Sequence, residues 1–126
     1  PWGVLTAINL ATGKTKWKKP FGQRKISDKK EIIRGDISFG GVLVTAGGLV
    51  FATGTPDEMI RAFNSASGKE LWSYKLPAAG SAPPMTFFSN GCQYVVVNAT
   101  GGRFVGYGSR SDATVAFKLS NCGKAK

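Results

Sequence analysis

An eleven-residue pattern recurs in this chain. Ala7-Ile8-Asn9-Leu10-Ala11-Thr12-Gly13-Lys14-Thr15-Lys16-Trp17 returns as Ala62-Phe63-Asn64-Ser65-Ala66-Ser67-Gly68-Lys69-Glu70-Leu71-Trp72, 55 positions later. A third start, Ala116-Phe117-Lys118-Leu119, follows 54 positions after Ala62 without a tryptophan behind it. Repetition at such a period implies like units that bury their apolar faces only against one another. The repeat also shows what the unit contains. A strand ends at Asn9 or Asn64, a polar turn closes on glycine, and a second strand brings Trp17 or Trp72 back across it. Asparagine and glycine suit a tight turn, and a flat indole covers a neighbouring sheet. Trp17 and Trp72 are therefore expected to dock one unit on the next rather than to carry chemistry.

The intervening segments have the same character. Short runs rich in Val, Ile, Phe and Thr alternate with Gly, Pro, Asn and Ser clusters. The pattern predicts strands at 5–9, 14–18, 42–46, 49–53, 60–64, 70–75, 85–89, 93–98 and 114–119, with no helix of useful length. Gly47-Gly48 and Asn90-Gly91 are expected to form two-residue hairpins through positive φ angles. Each unit then has four strands, the size of a β-propeller blade. The expected class is all-β, a partial β-propeller of four-stranded antiparallel blades. Residues 1–22 end one blade, 23–36 form a basic loop, 37–76 make a complete blade, and 77–126 begin a final, incomplete one. Closing a ring takes about four blades or more, so such a chain is a fragment or assembles with something.

Composition closes several routes to chemistry. The 126 residues contain no histidine, which excludes Ser-His-Asp and Cys-His catalysis and any imidazole metal ligand. Two cysteines fall short of a four-thiolate zinc site. Cys92 and Cys122 are either paired, as an oxidising compartment allows, or two free thiols. No paired carboxylates, phosphate-binding loop or C-x-x-C motif appears. The net charge of +10 suggests a polyanion partner, but nine of the seventeen cations lie between Lys14 and Arg34. Only Trp17 and Phe21 accompany them, too few for a base-stacking ladder, so a solvated basic loop is favoured over a nucleic-acid patch. The start of the chain lacks the basic and apolar regions of an export signal. The most apolar stretch, 40–54, is broken by Thr45, Gly47 and Gly48 and falls short of the about 18 residues of a membrane span. Any signal or anchor is expected to lie outside this chain.

The repeat A-x-N-x-x-x-G-K-x-x-W resembles the tryptophan docking motif of quinoprotein dehydrogenases, eight-bladed propeller enzymes that use pyrroloquinoline quinone (PQQ). Longer strings agree, in order and spacing. Leu5-Thr6-Ala7-Ile8-Asn9-Leu10-Ala11-Thr12-Gly13-Lys14 is similar to the family's L-T-A-I-D-L-x-T-G-K. Phe39-Gly40-Gly41-Val42-Leu43-Val44-Thr45-Ala46-Gly47-Gly48-Leu49-Val50-Phe51 resembles F-G-G-P-x-V-T-A-G-G-L-V-F. Leu76-Pro77-Ala78-Ala79-Gly80-Ser81-Ala82-Pro83-Pro84-Met85-Thr86 resembles L-P-A-x-G-x-A-T-P-M-T, and Asn90-Gly91-Cys92-Gln93-Tyr94-Val95-Val96-Val97 resembles N-G-K-Q-Y-V-V-I. Only the basic loop 23–35 has no counterpart. Asn9 and Asn64 replace the usual Asp, Val42 a frequent Pro, Pro83 a Thr, and Cys92 a common Lys.

The resemblance implies the last two to three blades of an enzyme of the membrane-bound glucose, quinate and polyol dehydrogenase branch. Phe39 and Gly40 match a position where relatives set a side chain against the flat quinone. Gly102 and Arg103 match a Gly-Gly-basic turn. A glycine lets backbone approach a flat cofactor, and an arginine pairs bidentately with a carboxylate, of which PQQ has three. The other reading of Arg103 is a solvated loop cation. Asp57 matches an acidic position linked to holoenzyme formation, and reads equally well as a turn residue before the strand at 60–64. No catalytic residue is expected in this chain. The aspartate base and the ligands for Ca²⁺ or Mg²⁺ would lie upstream. The implied activity is oxidation of a sugar or polyol hydroxyl, with electrons passed through PQQ to a membrane quinone. The implied setting is the periplasm, with the parent anchored to the inner membrane. The isolated segment is expected to be inactive and to self-associate through open sheet edges. Two alternatives remain: a non-enzymatic propeller scaffold of the outer-membrane assembly type, and a polyanion-binding module built on 14–34.

Overall fold

The computed structural model describes residues 1–25, 32–102 and 108–122. Within them the chain forms eleven strands and no helix. These are β1 (Val4–Ile8), β2 (Thr15–Pro20), β3 (Gln23–Lys25), β4 (Ile32–Arg34), β5 (Val42–Val44), β6 (Leu49–Ala52), β7 (Met59–Asn64), β8 (Glu70–Lys75), β9 (Met85–Ser89), β10 (Cys92–Ala99) and β11 (Ala113–Lys118). All pairings are antiparallel between neighbours in sequence. They give a two-stranded sheet β1–β2, a hairpin β3–β4, a four-stranded sheet β5–β6–β7–β8 and a three-stranded sheet β9–β10–β11.

The repeated string folds the same way twice. In each copy the asparagine side chain accepts the next backbone donors, Ala11 and Thr12 N–H for Asn9 and Ala66 and Ser67 N–H for Asn64. Glycine then closes the turn with φ +67° at both Gly13 and Gly68, its N–H on the asparagine carbonyl. Both hairpins also carry a register shift at the same place, between Ala7 and Ile8 and between Ala62 and Phe63. An asparagine cap followed by a left-handed glycine is local chemistry, so identical residues give identical turns.

Side-chain alternation along β6 and β7 gives the central sheet two apolar faces. Val50, Ala52 and Phe63 join Phe21 and the half-buried Leu5 on one side, against β1–β2. Ile60 joins Leu76, Val95, Val97 and Ala99 on the other, with Leu43, Phe51, Val115 and Phe117 packed around them. The four-stranded sheet is thus the middle layer between two partial ones, the stacking of a partial propeller.

Two sequence expectations need correction, and a third point left open is decided. The basic stretch 23–36 is not all loop, because β3 and β4 pair there through Gln23↔Arg34, Arg24↔Ile33 and Lys25↔Ile32. Its base is closed by Gly35 N–H to the Gly22 carbonyl, both glycines having positive φ. The Arg24 guanidinium pairs bidentately with the buried Asp36. Second, β5 stops at Val44, because Thr45 turns the chain. Its N–H bonds the Leu49 carbonyl, and its hydroxyl accepts from Leu49 N–H. Only Gly48 of the glycine pair has positive φ, so this connection is longer than a two-residue hairpin. Asn90 and Gly91 do take positive φ together, as a tight hairpin requires. Third, of the two states left open for the cysteines the structure shows the pair. Cys92 and Cys122 form a disulfide with Cα atoms 5.6 Å apart. Among the described residues no helix is long and apolar enough to cross a membrane.

Candidate cofactor face

Antiparallel pairing brings one set of strand ends together. Val42 starts β5 opposite Ala52 near the end of β6, Ala52 faces Arg61, and Met59 at the start of β7 faces Lys75 at the end of β8. The segments 38–41, 53–58 and 76–84 therefore meet at one end of the central sheet. The start of β9 and the end of β10 extend the same edge to 100–102.

Glycines make that edge tight. Phe39 N–H donates to the Gly54 carbonyl at 3.1 Å. A Cβ on Gly40 would lie 2.3 Å from the Thr53 carbonyl oxygen, and one on Gly54 1.9 Å from Gly40 N, so both positions admit only glycine. A Cβ on Gly80 would meet the Thr53 hydroxyl at 2.6 Å, and one on Gly41 would meet Pro83 at 2.6 Å. Ser81 donates its hydroxyl to the Gly101 carbonyl, and Gly101 N–H donates to the Ala79 carbonyl. Contacts thus run from Phe39 and Gly40 through Thr53 and Gly80 to Gly101 and Gly102. The Phe39 ring stays half exposed, and above Gly102 a Cβ would meet nothing nearer than the Ser81 hydroxyl at 3.8 Å. A half-exposed aromatic residue and an uncrowded glycine therefore share one edge of the sheets. Arg103 lies outside the described residues.

Asp57 sits on this edge but its carboxylate is closed. It takes the Arg61 guanidinium and the Thr55 hydroxyl, and also accepts the Gln23 N–H at 3.0 Å and the Met59 N–H at 3.3 Å. Arg61 is itself buried, reaches Glu70 at 3.7 Å and lies over the Phe21 ring. Asp57 therefore joins β7 to the root of the β3–β4 hairpin. Its neighbour Glu58, which sequence reasoning passed over, is nearly buried in a left-handed conformation. Glu58 Oε1 accepts Ser109 N–H at 2.6 Å, and Oε2 pairs with Lys75 Nζ at 2.8 Å. Burial pushes its carboxyl pKa up, but the Lys75 and Ser109 bonds outweigh that and hold it below its ordinary value. The only early sign of Glu58 was two acids in succession in a turn. Among the described residues no three His, Cys, Asp or Glu side chains gather as a metal site. The acids on this edge face Arg61 and Lys75 instead.

The tryptophans lie away from this edge, at the turns. Trp17 donates its indole N–H to the Ser65 carbonyl at 2.9 Å. Its ring rests on Gly68, where a Cβ would approach within 2.6 Å. The tryptophan of one sheet thus seats on the glycine turn of the next. Trp72 stacks on Tyr74 and meets Phe117 edge-on at 5.0 Å, bridging the central sheet to β11.

These features define a class, a stack of tryptophan-docked blades with a glycine-lined edge. Residues 1–95 match the PQQ family described as glucose/ethanol/alcohol dehydrogenase, beta-propeller domain, and the chain belongs to that family. It is 41% identical to a probable quinate dehydrogenase (quinone) of Xanthomonas campestris pv. juglandis, over 94% of this chain and 16% of that protein. It is 39% identical to the quinoprotein glucose dehydrogenase of Escherichia coli, over 79% of this chain and 13% of that protein. The solved quinohemoprotein alcohol dehydrogenase of Pseudomonas putida superposes with a TM-score of 0.69 at 25% identity. That match covers 98% of this chain and 17% of that one. The chain therefore spans about a sixth of the length of the relatives it matches.

Proposed function

We propose that this chain is the C-terminal segment of a PQQ-dependent dehydrogenase that oxidises a hydroxyl of a sugar or polyol and passes the electrons to a membrane quinone. The observation that carries the reading is the family match through 1–95, which covers the whole edge from Phe39 to Gly80. When bound, PQQ takes up the two electrons removed from the hydroxyl-bearing carbon. The segment's own part is to bind and orient. Phe39 offers a ring to one face of the quinone, and Gly40 and Gly54 hold that ring's backbone against β6. Gly102 leaves room for close approach, and Arg103 supplies a bidentate donor for a PQQ carboxylate. Asp57 acts through Arg61 and the hairpin root instead of as an open ligand. The base and the Ca²⁺ or Mg²⁺ ligands belong to the preceding blades, so the segment is inactive alone. The disulfide suits an oxidising compartment, and the periplasm with an inner-membrane anchor on the parent is the setting we propose.

The test is a PQQ titration of a full-length chain carrying this segment, followed by absorbance, with quinone-linked oxidation of glucose, quinate and glycerol as the second readout. Uptake of PQQ with oxidation of at least one of them supports the reading. A full-length chain that ignores PQQ, or quinone-linked sugar oxidation by the 126-residue chain alone, overturns it. The scaffold alternative is not favoured, because the relatives described above are dehydrogenases.

A further inference from the structure

We infer that Glu58 is a positioning residue for the PQQ contact at Gly102, acting as a latch between the central blade and the connection from β10 to β11. The inference rests on the functional reading above and adds a residue to it. Glu58 holds φ +60°, a conformation that carries a steric penalty for any residue with a Cβ. Strain of this kind persists where the surroundings over-determine it. Here they do: Glu58 N–H donates to the Thr55 carbonyl, and its own carbonyl accepts Leu76 N–H at 2.8 Å. Its two carboxylate oxygens divide between blades, one on Lys75 of β8 and the other on Ser109 N–H beyond β10.

The receiving side is shaped for it. Gly108 has φ +125°, and a Cβ there would stand 2.8 Å from Glu58 Oε1, so a glycine is what admits the carboxylate. Ser109 in turn backs on to the other strand of the connection. A Cβ on Gly101 would lie 2.3 Å from the Ser109 carbonyl, and Ser111 N–H bonds the Thr100 carbonyl. Ser81 and Ala79 fix Gly101 from the opposite side. The position of Gly102 is thus set by Gly101, held between the 79–81 linker and a Ser109 that Glu58 tethers. A charge-assisted bond from a backbone N–H to a carboxylate is among the stronger single tethers available.

The experiment uses the full-length apo chain with Glu58→Ala, Glu58→Gln and Gly108→Ala. PQQ affinity is read by absorbance or fluorescence titration, and exchange of the Ser109 amide by hydrogen–deuterium exchange. Glu58→Ala is expected to speed Ser109 exchange and to weaken PQQ binding by about tenfold. Glu58→Gln keeps an acceptor for Ser109 and should stay within about threefold of the parent. Gly108→Ala leaves Glu58 in place but crowds its carboxylate, so it should repeat the loss and serves if Glu58→Ala does not fold. Faster Ser109 exchange with unchanged PQQ affinity would reduce Glu58 to a staple of the fold and overturn the inference. A parent chain that takes up no PQQ at all removes the functional reading, and the inference with it.

Discussion

Gly68 carries two requirements on one atom. Its φ of +67° closes the turn, and its missing Cβ is the seat of the Trp17 ring, so Gly68→Ala meets both a left-handed penalty and a 2.6 Å collision. The expected cost is about 2–3 kcal/mol in thermal or urea unfolding. Gly13 has the same φ with nothing within 4 Å of its absent Cβ, so Gly13→Ala should cost only about 1–2 kcal/mol. Equal losses at the two sites would show that the tryptophan seat contributes nothing. Asp36 supplies the pH dependence at this scale. The Arg24 bond to it, ahead of the opposing effect of burial, holds its carboxyl below the ordinary range. A lowered folded pKa gives stability that is fully present above the unfolded value of about 3.9. That stability is lost as pH falls through the folded one. Asp36→Asn should therefore flatten the acid side of the stability curve and leave neutral-to-alkaline slopes unchanged. An unaltered acid limb would count against the pair.

Legibility at the level of elements followed the physics of alternation. Strand β10 was visible because every second residue from Val95 to Ala99 enters a core, and β6 and β7 because both their faces do, which gives nearly continuous apolar runs. The glycines at 13, 68 and 91 were visible because turns of that kind need them. The hairpin β3–β4 was hidden, because all its described residues are exposed and its sequence reads as a charge run. What holds it is tertiary: Asp36 under Arg24 and Asp57 on Gln23 N–H, neither of which is periodic. The candidate site divides in the same way. Phe39, Gly40 and Gly102 came from the resemblance and converge on one edge. Glu58 was not legible, since its partners are 17 and 51 positions away and one of them is a backbone amide. The disulfide yields the prediction for this scale. It ties the start of β10 to the turn after β11 across a separation of 30 residues. Opening it by Cys92→Ala should lower unfolding stability by about 3.6 kcal/mol, the loop-closure estimate for that length. The effect should vanish when the protein is compared under full reduction. A variant as stable as the oxidised parent would refute the staple.

For the molecule as a whole, the decisive fact is that among the described residues only the middle sheet is covered on both faces. Among the described residues the β1–β2 pair has two strands where the central blade has four, and β11 is an edge with no strand beyond it. Large apolar side chains mark the uncovered parts, with Leu10 at 95%, Trp2 at 87% and Phe88 at 73% exposure. Unpaired edges and apolar patches of this kind recruit whatever surface completes them. In a full ring that surface belongs to neighbouring blades, and in the isolated chain the nearest supply is another copy. The isolated 126-residue chain should therefore associate with itself, its weight-average mass in sedimentation rising with concentration through the micromolar range. A chain extended by the preceding blades should show less of this, because its β1–β2 face is then internal. Charge opposes the association. At +10 the copies repel, so raising salt should strengthen self-association and would weaken any binding to a polyanion. The sign of the salt effect thus separates an incomplete propeller from a basic binding module. A monomer at every concentration and salt would mean that the edges are closed by the chain itself, contrary to the sheet order.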